Sequence, residues 1–259
     1  TQETWTLTDS VSGTSATNDQ FNVRIIGDAT AGVVRAGLQT SAIETVRFSY
    51  TDANDALDAN SVVVSGFTGM TKLAVSNSSN ANSTSTVRDT ISFTGVAAAV
   101  VLEVNDNTSQ TSVNYTGVGT ATTGDSVTLN AAGGSTGVIT FNDTAATPDG
   151  YVTVNVATSG TASTLKALSG GTSNTTVNVT GASALTITDT LAASVKTLDA
   201  SAATGAVKAG VVASTTLVAK GGTATTDTLT LVVDSNVTTG AAISGFETVG
   251  LDASAAATG

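Results

Sequence analysis

The stretch KGGTATTDTLTLVV at residues 220–233 contains the pattern that decides the fold. A glycine pair marks a corner, Asp227 follows it, and apolar and polar side chains then alternate from Thr228 onward. Successive side chains of a β-strand point to opposite faces, so residues two apart share a face. The stretch therefore predicts a corner followed by a strand with one buried face and one polar face.

The same alternation recurs along the chain, in short runs bounded by Gly, Asn, Asp, Ser and Thr. In the second half the centres of these runs lie mostly roughly 10 to 15 residues apart. Such spacing fits a β-solenoid with two strands per coil of roughly 20 residues, or a set of β-sandwich modules. The runs include residues 21–25, 46–50, 91–93, 127–129, 139–141, 152–156, 177–179, 185–187 and 229–233.

The apolar composition favours the solenoid. Hydrophobic residues make up 40% of the 259-residue chain, but aromatic residues only 4%, and there is one proline. Small aliphatic side chains fill a narrow interior, whereas a sandwich core prefers large aromatic ones. We therefore predict an all-β chain, a β-solenoid or parallel β-helix-like stack of short strands, with β-sandwich modules as the alternative. We expect residues 1–259 to form one elongated repetitive β body, with modules 1–110 and 111–259 as the alternative organisation.

Residue types that are missing limit the chemistry. The chain has no cysteine and no histidine, which excludes disulfides, zinc–thiolate sites and Ser-His-Asp catalysis. A net charge of −11 argues against nucleic-acid binding, which needs a basic surface. No apolar run is long enough to span a membrane. We expect a protein that is not an enzyme, and because the chain opens at Thr1 without Met, a mature product or a piece of a longer protein.

Short motifs recur at distant positions. The residues LDASAATG at 198–205 return as LDASAAATG at 251–259. Asp19 is followed by Glu44, and Asp227 is followed by Glu247, so an acid pair occurs near each end of the chain. The two ends therefore resemble equivalent modules that flank a strand-rich middle.

Four segments share the pattern Asp-x-apolar-x-apolar, and they begin at Asp19, Asp89, Asp125 and Asp227. In a strand this spacing places each aspartate on the inward side at the strand entry, where an isolated charge is costly. Two partners are plausible. Calcium could be held by aspartate and turn-carbonyl oxygens, or the carboxylate could accept backbone N–H groups of the turn.

Calcium candidates follow from these positions. Residues 220–229 look like a degenerate form of the nonapeptide G-G-x-G-x-D-x-U-x of calcium-binding solenoids. Ala224 replaces the third glycine, and one extra residue precedes the aspartate. The calcium candidates are Asp227, Asp125, Asp19, Asp89, Asp199 and Asp252.

These motifs carry a family resemblance. Together with ISGFETV at 243–249 and LDAS at 251–254, the 220–231 stretch resembles the repeating texture of RTX-type surface-layer (S-layer) proteins of Gram-negative bacteria. The resemblance implies secretion, calcium-dependent order, and assembly with copies of itself into an extracellular lattice on the cell surface. The cell-envelope polysaccharide is a further expected partner. The chain would be an interior segment of such a protein.

Two other functions compete with a lattice or fibre subunit. An adhesin stalk or passenger segment needs the same long repetitive body. A polysaccharide-cleaving parallel β-helix enzyme could work with carboxylates and a Lys or Arg base. Such an enzyme needs clustered acids and bases, and the nine basic residues here are scattered.

Overall fold

The computed structural model describes residues 10–27, 33–52, 59–76, 89–97, 99–105, 112–117, 125–143, 150–233 and 240–253. Every regular element within these ranges is a β-strand. The part of the chain that is described contains no helix long and apolar enough to cross a membrane. The strands are β1 (Ser10–Ser12), β2 (Gln20–Gly27), β3 (Val33–Arg35), β4 (Gln39–Ser41), β5 (Thr45–Asp52), β6 (Ala59–Val63), β7 (Lys72–Ser76), β8 (Thr90–Val96), β9 (Val101–Asn105), β10 (Ser112–Gly117), β11 (Ser126–Ala131), β12 (Gly134–Asp143), β13 (Thr153–Thr158), β14 (Ser163–Ser169), β15 (Thr176–Gly181), β16 (Leu185–Thr190), β17 (Thr197–Ala203), β18 (Val207–Val212), β19 (Val218–Lys220), β20 (Thr228–Val232), β21 (Ala242–Ser244) and β22 (Thr248–Asp252).

The described strands form two ten-stranded sheets and one small sheet. Sheet I has the order β2-β5-β7-β9-β11-β13-β15-β17-β19-β21. Sheet II has the order β22-β20-β18-β16-β14-β12-β10-β8-β6-β3. The small sheet is the parallel pair β1 and β4. From β5 onward the chain alternates between sheets I and II, so each coil contributes one strand to each.

All pairing between the described strands is parallel, as a solenoid requires and an antiparallel sandwich does not. In sheet I, Val154 pairs with Val177 and Val177 with Leu198, and these spacings match the predicted coil length closely. Earlier coils are longer, as the wider spacing between the paired residues Asn60 and Ile91 shows. The prediction of a β-solenoid with two strands per coil is confirmed, and coils in the first half are longer than predicted.

Inward side chains of successive coils lie above one another in columns and form a single core. Phe48 of sheet I meets Phe93 of sheet II with ring centroids 4.9 Å apart, so the two sheets share this interior. One column of sheet I, followed through its paired residues, consists of Phe21, Val46, Leu73, Leu102, Leu129, Val156 and Val179. From Val46 onward its members are almost completely buried.

The width of the core changes along the stack. Fully buried aromatic side chains lie between Phe48 and Phe141, where the coils are longer, and they include Tyr50 and Phe93. After residue 160 the buried core consists of Val, Leu, Ile and Ala. The narrow aliphatic interior expected from composition is therefore found after residue 160, while the coils before it enclose a wider, aromatic one.

Candidate functional site

The four strand-opening aspartates lie directly before strands, at the positions the sequence pattern predicts. Asp19, Asp89, Asp125 and Asp227 precede β2, β8, β11 and β20. Asp89 and Asp227 are completely buried, and Asp19 and Asp125 are half-buried. The groups around each carboxylate therefore decide whether it can bind a cation or accepts backbone N–H groups.

Asp227 contacts three successive coils through backbone amides. Its Oδ1 accepts the N–H of Val207 at 2.7 Å, from the preceding coil. Its Oδ2 accepts the N–H of Gly222 at 2.7 Å, within its own corner. Its own N–H donates to Oε2 of Glu247 at 2.8 Å, and its C=O accepts the N–H of Thr248 at 3.1 Å, both from the following coil.

Asp19, near the other end of the chain, shares the bonds to its own corner and to the following coil. Its Oδ2 accepts both the N–H of Thr14 and the Thr14 hydroxyl. The N–H of Asp19 donates to Oε2 of Glu44 at 2.8 Å, and its C=O accepts the N–H of Thr45 at 3.1 Å. We call the pairs Asp19/Glu44 and Asp227/Glu247 carboxylate latches, because each fastens an aspartate to its corner and to the next coil.

The two latches lie in opposite sheets. Asp19 and Glu44 precede the paired strands β2 and β5 of sheet I, whereas Asp227 and Glu247 precede β20 and β22 of sheet II. A corner that leads into either sheet can therefore contain a carboxylate latch. The two acid pairs noted in the sequence thus make matching hydrogen bonds in different sheets, and the equivalence of the end modules stays a prediction.

The donors around Asp227 do not suit a cation. Both carboxylate oxygens point at N–H groups, whose partial positive charge attracts an anion and repels a metal ion. Calcium takes six to eight oxygen ligands, so it would have to displace both amide bonds. Within the described ranges there is no group of three or more acidic side chains that could hold a metal. At Asp227 the geometry favours the backbone alternative, and calcium elsewhere stays a prediction.

Asp125 shares the backbone part of the latch but not its glutamate. Its C=O accepts the N–H of Thr153 at 3.0 Å, as in the two latches. Val152, however, stands where a latch has glutamate. Asp125 instead lies near Tyr151, whose pKa is raised to about 12 by burial first, and then by the negative charges of Asp143 and Asp125.

Asp89 is the fourth strand-opening aspartate and is completely buried at the start of β8. Thr90, which follows it, pairs with Ser112 at the start of β10.

Asp199 and Asp252, the aspartates of the repeated LDAS motif, lie in different sheets. Asp199 is in β17 of sheet I, where Oδ1 accepts the N–H of Ser201 at 3.0 Å and its hydroxyl at 2.6 Å. The hydrogen bond from the Ser201 hydroxyl, followed by the one from its N–H, lowers the pKa of Asp199, and the hydrogen bond and charge of Lys220 lower it further. Asp252 ends β22 of sheet II. The two copies are therefore not equivalent steps of one coil, and residues 254–259 of the second copy lie outside the described residues.

Glu103 is a charged residue that the sequence analysis did not single out. It is only 6% exposed, on the outward side of β9. It accepts hydrogen bonds from Lys72 Nζ at 2.9 Å and Asn130 Nδ2 at 2.8 Å, and Arg47 lies 3.8 Å away. Each of these partners comes from a different coil, so only the coil register could have revealed this cluster.

In comparisons with known proteins, no protein-family model, no curated protein and no solved structure matches the chain.

Proposed function

We propose that the protein is a structural, self-assembling subunit of a lattice or extracellular fibre on the bacterial cell surface. The observation that carries the proposal is the uninterrupted parallel pairing of two ten-stranded sheets around one column-built core. Such a stack resists deformation along its axis, because every coil is hydrogen-bonded to its neighbours on both sides. A body of this kind suits a mechanical role.

The outward faces of the sheets support the same role. They carry short polar side chains that bond from coil to coil, as Asn178 Nδ2 does to Asn155 Oδ1 at 2.9 Å. Charged residues make up only 11% of the chain. A surface of neutral polar groups presents few isolated charges that must lose water, so copies can pack side by side at low desolvation cost.

Electron microscopy tests the proposal. Negatively stained protein at high concentration, prepared with calcium and with a chelator, should contain ordered sheets or fibres in at least one condition. Protein that remains as separate single particles in both conditions would contradict self-assembly.

Calcium is part of the proposal as a stabiliser. The proposed ligands are drawn from the sequence candidates Asp19, Asp89, Asp125, Asp199 and Asp252, together with turn carbonyls, whereas a metal at Asp227 would have to displace two backbone N–H groups. A ligand that binds only the folded state raises the melting temperature through mass action. Thermal melting with millimolar calcium should exceed that with chelator by several degrees. Equal melting temperatures would remove calcium from the proposal and leave the structural role intact.

An adhesin stalk is the second candidate, because a continuous parallel stack also serves as a spacer. The two functions differ in their contacts with copies. Isolated rods of the full-length protein, each with a distinct tip, would favour the stalk, and a periodic layer would favour the lattice.

A further inference from the structure

We draw no further inference here: the strongest candidate, the uncharged outward face of β8, β10 and β12 in sheet II, where Ser92, Asn114 and Thr140 lie side by side, is a sheet face of neutral polar side chains, and nothing in the structure shows what covers it.

Discussion

At the scale of single residues, Asp227 shows how a completely buried charge is kept in a thin core. A buried carboxylate whose oxygens have no partners costs several kcal/mol, but hydrogen bonds to an ionised acceptor are about twice as strong as neutral ones. Asp227 accepts two backbone N–H groups that would otherwise be buried without acceptors. The carboxylate therefore supplies the acceptors that these N–H groups need, and the N–H groups offset the cost of burying its charge.

Asp227→Asn tests this balance with little change in shape. One side-chain oxygen becomes an NH₂ group, which cannot accept the N–H of Gly222 or Val207 and places two donors face to face. We expect the free energy of unfolding to fall by about 2–3 kcal/mol in urea titrations. Asp199→Asn is the matched control, because the described partners of the Asp199 carboxylate are the nearby Ser201 and the exposed Lys220. This variant should lower the free energy of unfolding by less than about 1 kcal/mol. Equal losses in the two variants would count against the latch.

Tyr151 predicts how stability changes in alkaline solution. Burial, followed by Asp143 and Asp125, raises the pKa of Tyr151 from 10.0 to about 12 in the folded state. Between these two pH values the unfolded chain loses the phenolic proton and the folded chain keeps it. The contribution of Tyr151 to the free energy of unfolding is therefore full below pH 10 and is lost as the pH rises toward 12. Urea titrations at pH 9 and pH 11 should show a fall in stability that is smaller in Tyr151→Phe. A fall of the same size in that variant would show that Tyr151 does not contribute.

At the scale of the elements, the corners limit which residue types fit the fold as strictly as the strands do. A Cβ atom on Gly221 would lie 1.9 Å from the backbone oxygen of Gly245, in the corner of the next coil. A Cβ atom on Gly250, in the middle of β22, would meet nothing within 4 Å. Stacked corners thus pack backbone against backbone, and glycine permits this approach.

Gly221→Ala should therefore destabilise the protein, because the contact is with backbone that cannot rotate away. The expected loss is about 2 kcal/mol or more, whereas Gly250→Ala should change stability by less than about 0.5 kcal/mol. Chemical denaturation of the two variants beside the parent measures the difference. Similar stabilities for both variants would mean that the corners are not stacked as described.

The sequence was informative about strands and less so about their partners. Alternation within a short run is local, so it correctly placed the strands that follow Asp19, Asp89, Asp125 and Asp227. The hydrogen bond from Asp227 to Glu247 joins neighbouring coils, and it depends on coil length. Coil length varies, and no local pattern encodes it. For this reason the paired acids were noticed, but the bonds between them were not.

The identity of a repeated motif did not predict in which sheet of the coil it lies. The two LDAS copies share their residues but lie in opposite sheets, because β22 comes five strands after β17 and successive strands alternate between the sheets. Glu103 was missed since a single acid between Leu102 and Val104 looks like an ordinary outward residue of a strand. Its burial arises from Lys72 and Asn130 of neighbouring coils, which only the three-dimensional register brings together.

At the scale of the whole molecule, the chain behaves as a one-dimensional stack in which each coil contacts its neighbours. The core columns are almost completely buried through the middle of the stack. Stability in such a stack is a sum of coil and interface contributions, so each coil is stabilised mainly by its contacts with the coils on either side. This mutual support is the physical basis of the structural role proposed above.

Sedimentation velocity of the purified chain over a wide range of concentrations measures self-assembly itself. We expect a distribution that shifts with concentration from single chains to species larger than dimers, and that shifts back on dilution. A single boundary of monomeric protein from micromolar to near-millimolar concentration, with and without calcium, would contradict a self-assembling structural role.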